Sequence, residues 1–161
     1  MTNCKDKLLM NSLSDYYISN KNIEKILPIL QGKSELSLRI LDWFVTNYSK
    51  TNSLVFETSN KHYNVHLDYK SQLKAYSKKL FDPFCRRNRI LFYYNKTEYV
   101  TTTVGQLNFF KWTLENNILE YVKKNLKKIE KDMNSNINQY MTVTGKKKLT
   151  KKNIEITIQF N

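Results

Sequence analysis

Hydrophobic and polar positions along this chain repeat at helical spacing in some stretches and alternate in others. From Asn22 the apolar residues Ile23, Ile26, Leu27 and Leu30 share one helical face, with Asn22 placed to cap. Pro28 lies inside that pattern and lacks a backbone donor, which predicts a kinked or shortened helix closed by Gly32. Ser34 opens a second predicted helix, Glu35 to about Tyr48. Its apolar positions Leu36, Ile40, Leu41, Trp43, Phe44, Val45 and Tyr48 cover most of the circumference, so burial on more than one side is expected. Residues 53–57 (SLVFE) read as a strand. Residues 62–67 (HYNVHL) alternate, with Tyr63, Val65 and Leu67 on one face and His62, Asn64 and His66 on the other. A third helix is predicted over 68–80, ended by Pro83.

The runs 89–94 (RILFYY) and 97–103 (TEYVTTT) flank Asn95-Lys96 and predict a hairpin, without the favoured Asn-Gly turn. Thr103-Val-Gly-Gln106 matches a capping box, which starts a helix at Val104. After Asn116-Asn117, Ile118, Tyr121, Val122, Leu126, Ile129 and Met133 form a clean helical stripe, with Lys123, Lys124, Lys127, Lys128 and Lys131 opposite. The order of elements predicts an α+β fold: a single compact domain, helices flanking short antiparallel hairpins, with a flexible lysine-rich C-terminal tail. The expected boundaries are a loose leader over 1–20, the domain over 21–134 and the tail over 135–161.

Composition narrows the chemistry. The chain has 161 residues and three glycines, at positions 32, 105 and 145. Phosphate-cradling loops need several glycines close together, so nucleotide-dependent chemistry of the common kinds is excluded and no cofactor is expected. No run approaches 18 apolar residues, so no transmembrane segment is expected, and residues 1–20 lack a signal-peptide core. Two cysteines, Cys4 and Cys85, make neither a disulfide framework nor a four-thiolate zinc site, which suits an intracellular protein.

Charge changes the picture most. Lys and Arg number 27 against 14 Asp and Glu, a net +13. Such an excess attracts polyanions, nucleic acid first, then anionic membrane and acidic protein. Three of the four arginines, Arg86, Arg87 and Arg89, stand together after Pro83, and Lys70, Lys74, Lys78 and Lys79 precede them. Lysine follows composition bias more readily than arginine, so this arginine cluster is the favoured phosphate contact. Lys123, Lys124, Lys127, Lys128 and the GKKKLTKK tail (145–152) are secondary contacts. Tyr69, Tyr76, Tyr93, Tyr94 and Tyr99 offer stacking surfaces for unpaired bases, although strand tyrosines commonly serve cross-strand packing. The expected function is non-enzymatic binding of nucleic acid, DNA foremost and with little sequence preference. Docking on acidic or chromatin-associated protein partners is the alternative, and self-association stays open.

An enzymatic alternative is a metal-dependent nuclease. Glu57 ends one predicted strand, and Asp68-Tyr69-Lys70 ends the next, as in enzymes that hold magnesium with carboxylates and orient water with a lysine. His62, His66 and Asp68 form a weaker candidate metal set, with no other Cys/His cluster to support them. Cys85 beside two arginines is not a phosphatase nucleophile: the arginine such a loop needs six positions later is Leu91 here.

Two segments carry a resemblance: YKSQLKAYSKKLFDPFCRR (69–87) and TTVGQLNFFKW (102–112). With ELSLRILDWFVTNYSK (35–50) and IEKDMN (129–134), they resemble an uncharacterised family encoded by nucleocytoplasmic large DNA viruses, over about residues 35–134. The resemblance implies a viral protein acting in the infected cell's cytoplasmic factory or carried in the virion. Asn, Lys, Ile and Tyr make up 65 of 161 residues and Ala occurs once, a bias that agrees with an AT-rich genome.

Overall fold

The computed structural model describes residues 4–58, 61–85 and 87–137. The α+β expectation holds: the described residues are mostly helical, with two short antiparallel hairpins. The chain divides into two units at Asn125, and most of the elements belong to the first.

Within the expected loose leader, residues 4–19 are helical. Helix α1 (Cys4–Ser14) runs into a π-helical turn, Asp15–Ser19. The apolar run Leu8-Leu9-Met10 does not anchor it, since Leu8 is exposed. Leu13 and Tyr17, one turn apart, are fully buried instead. The Tyr17 hydroxyl donates to the Leu107 carbonyl, and its ring meets Phe92 edge-on at 6.2 Å.

Helix α2 (Ile23–Leu30) buries Ile23, Ile26 and Ile29 and continues past Pro28 to Leu30. Asn22 precedes it but does not cap by side chain; its amide donates to the Tyr16 carbonyl at 2.9 Å. Gly32, at φ +73°, closes it as expected. Helix α3 (Leu38–Trp43) passes through a π-helical turn (Phe44–Tyr48) into α4 (Ser49–Thr51). It starts later than expected because Ser37, not Ser34, accepts the N-terminal backbone bond, from Ile40. Its many-sided burial is as predicted: Ile40, Leu41, Phe44, Val45 and Tyr48 are all buried.

Strands β1 (Val55–Thr58) and β2 (Lys61–Asn64) pair antiparallel, Glu57 opposite His62. The strand predicted to reach Leu67 stops at Asn64, whose carboxamide accepts from the Leu67 amide at 3.0 Å and opens helix α5 (Val65–Tyr76). A capping asparagine outweighs the period-two pattern here. The single helix predicted over 68–80 is divided at Ser77, φ 74°, from α6 (Lys78–Phe81).

Strands β3 (Ile90–Tyr93) and β4 (Tyr99–Thr102) form the predicted hairpin. Asn95 replaces the missing Asn-Gly signal: its carboxamide oxygen accepts from the Thr97 and Glu98 amides. Thr103 caps helix α7 (Val104–Glu115) by accepting from the Gln106 amide at 3.0 Å. Gln106 does not close the capping box; its amide donates to the Pro83 carbonyl and its oxygen accepts from Thr102. Helix α7 is the hub, touching α1, α6 and α8 (Ile118–Lys124). Around it Tyr69, Phe81, Phe109 and Trp112 form an aromatic core with ring centroids about 6 Å apart. In the second unit, residues 126–137 are helical, with Ile129 and Met133 buried. The remainder of the expected tail, 138–161, lies outside the described residues.

Candidate functional site

Five of the cations favoured as phosphate contacts line three separate open concavities. Lys79 on α6 and Arg87 in the loop before β3 line the largest, about 610 Å³. Lys7 and Asp6 of α1 join them, and Met10, Leu80, Ile90 and Leu91 add apolar lining. Lys70 and Lys78 line a second concavity of about 340 Å³ with Lys50, His66, Asp42 and Asp82. Arg89 lines a third, about 250 Å³, beside Thr101, Thr103 and Gln106. Arg87 and Arg89 therefore serve different surfaces although Asn88 alone separates them. Asn88 adopts φ 57°, so the chain reverses locally there. Arg86 lies outside the described residues.

Lys70, Lys74, Lys78, Lys79, Arg87 and Arg89 are all exposed. None of the six forms an ion pair with another described residue. Lys123 and Lys124 are exposed on α8, and Lys124 pairs with Glu120 at 3.3 Å. Lys127 and Lys128 are exposed on the helix of the second unit. Of the tyrosines considered for stacking, Tyr69 is buried, whereas Tyr93 and Tyr99 are about half exposed.

Lys7 and Asp42 were not singled out from sequence. Lys7 sat in the supposed leader. Asp42 had one available signal: a carboxylate inside a helix whose apolar residues cover most of its surface. Burial, with the Asp82 charge adding to it, raises the Asp42 carboxyl to about 6. An unfolded-chain aspartate titrates near ~3.9, so the folded state holds this proton more tightly. Stability contributed through Asp42 is present at low pH and falls as pH rises from about 4 through about 6. Asp42→Asn is expected to raise the melting temperature at neutral pH. The gain is about 1 kcal/mol, after discounting for partial exposure. Melts of both proteins at acidic and neutral pH check this: the gain should shrink towards acid, and an equal gain at both pH values contradicts it.

The nuclease arrangement is not the one found. Asp68 and Lys70 lie on helix α5 rather than at a strand end. Asp68 accepts from the Trp112 indole nitrogen at 2.6 Å. Glu57, on β1, sits 3.4 Å from His62 across the hairpin, with both side chains exposed. His62 and His66 do not share a strand face, because His66 is in the first turn of α5 with its Nδ1 3.1 Å from the Val45 carbonyl. Among the described residues, no group of three His, Cys, Asp or Glu is placed to hold a metal ion. No described helix is long and apolar enough to cross a membrane.

Over 124 residues the chain is 41% identical to the uncharacterized protein L507 of Acanthamoeba polyphaga mimivirus. The aligned stretch covers 70% of this chain and 47% of the relative, so the chain spans about half the length of the curated relative it matches. This agrees with a giant-virus family, as the motifs at 69–87 and 102–112 implied. No solved structure matches. A family profile of unknown function matches residues 1–159, and the chain belongs to that family, DUF7197.

Proposed function

We propose that this protein binds nucleic acid through its phosphates, as a non-catalytic component of genome packaging or virus-factory organisation. One observation carries the reading: Lys7, Lys79 and Arg87, from three separate segments, line one concavity. The net charge of +13 supplies long-range attraction, and the exposed lysines of α5 and α8 extend it. Phosphate contacts release condensed counterions, so affinity depends on salt and little on sequence. The mimivirus relative supports a viral setting, and the proposed places of action are the virion and the cytoplasmic factory.

Anisotropy titration of a labelled DNA duplex tests this. For three phosphate contacts, affinity is expected to fall roughly 40-fold between about 50 and about 200 mM salt. Lys79→Gln with Arg87→Gln should lower the log–log salt slope by about 2, one unit per lost contact. A flat salt response removes the mechanism. Equal binding of an acidic polypeptide that duplex DNA fails to displace would favour protein docking instead.

A further inference from the structure

We infer that the nucleic acid bound is single-stranded, with unpaired bases on the outer face of the β3–β4 hairpin and phosphates on the cations adjoining one end of it. This rests on the phosphate reading and narrows its ligand. Leu91 pairs with Thr101 and Tyr93 with Tyr99, which sets these four side chains on one face. The opposite face holds Phe92 and Val100, both buried. Leu91, Tyr93 and Tyr99 are 55%, 50% and 49% exposed, so the core makes little use of them. The two tyrosine rings stand 5.1 Å apart and tilted by 49°, and each keeps open surface outward.

Cations adjoin this strip at its Leu91–Thr101 end. Leu91 also lines the concavity that carries Lys7, Lys79 and Arg87. Across the hairpin, Thr101 lines the concavity that carries Arg89. An apolar, partly aromatic strip with cations gathered at one end complements a single strand, which presents flat bases and a phosphate at every nucleotide. A duplex keeps its bases stacked inside and offers this surface phosphates alone. The cross-strand tyrosine pair also steadies the hairpin, so the variants chosen keep strand-forming side chains: Tyr93→Thr with Tyr99→Thr.

The test compares three labelled probes at one salt concentration: an oligothymidylate, an abasic oligomer of equal length and a duplex of matched length. The oligothymidylate should bind tightest. The double threonine variant should lose roughly fivefold or more of that affinity per base displaced, while its affinity for the abasic oligomer and the duplex stays within about twofold. Equal binding of all three probes by the wild-type chain overturns the single-strand inference and leaves salt-dependent phosphate binding standing. If none of the probes binds, both readings fall. If the variant instead dissociates a dimer seen by sedimentation, with affinity for the oligothymidylate unchanged, the face belongs to a second copy and the inference is overturned. Should the variant melt below the assay temperature, the abasic comparison on the wild-type chain decides alone.

Discussion

Truncating Phe109 to alanine is expected to lower the unfolding free energy by about 3–5 kcal/mol. Phe109 is fully buried in the middle of α7. Its ring lies 6.1 Å from Tyr69, 5.7 Å from Phe81, 5.9 Å from Phe110 and 6.0 Å from Trp112, measured between centroids. Rigid neighbours on several sides cannot collapse into the space left, so the cavity term adds to the lost transfer free energy. A domain of this size has a total stability of only about 5–15 kcal/mol, so the loss would consume much of it. Urea unfolding of the two proteins measures the difference. A loss below about 1 kcal/mol would mean that the aromatic cluster is not packed as described.

The second large effect is expected at Gly105. A methyl group there would stand 3.0 Å from the Asp82 carbonyl oxygen, 3.1 Å from that of Lys79 and 3.4 Å from the Phe81 amide nitrogen. All three are backbone atoms, so no side chain can swing aside to make room. Alanine normally favours a helix over glycine by about 1 kcal/mol, yet Gly105→Ala is expected to destabilise by about 1–3 kcal/mol. Gly105→Val, with two further methyl groups, should cost more than Gly105→Ala. Denaturant melts of the two variants check both sign and order, and a stabilised alanine variant refutes the close crossing of α6 and α7. The Asn108 amide, which donates to the Leu80 carbonyl at 2.9 Å, reports on the same crossing.

Much of the fold was legible because apolar spacing and capping residues act locally. The hairpin at 90–102, the Thr103 cap and the many-sided burial of α3 all come from residues close in sequence. The misses share another physical origin. Asn64 satisfies a backbone donor three residues on, which ends a strand that alternation alone would prolong. Ser77 at positive φ divides α5 from α6, and nothing in a serine announces that conformation. Leu13 and Tyr17 look ordinary in a polar stretch, and their burial depends on α7, about 90 residues away. The candidate site followed the same division. Sequence identified the exposed cations of α5 and α6, but distance along the chain hid which of them meet. Arg87 and Arg89 were grouped by adjacency and part company at Asn88, whereas Lys79 and Arg87 share a concavity with Lys7, about 70 and 80 residues upstream.

The docking of the N-terminal helix ties two properties together that are usually separable. Leu13 and Tyr17 plug the interior, while Lys7, on the same helix, contributes to the basic lining. On the proposed phosphate-binding reading, trimming the protein to start at Lys21 would thus weaken anion capture and unseal greasy surface in one stroke. An aggregated, non-binding fragment would then say little about which residues hold the ligand, and point substitution at Lys7 is the cleaner probe.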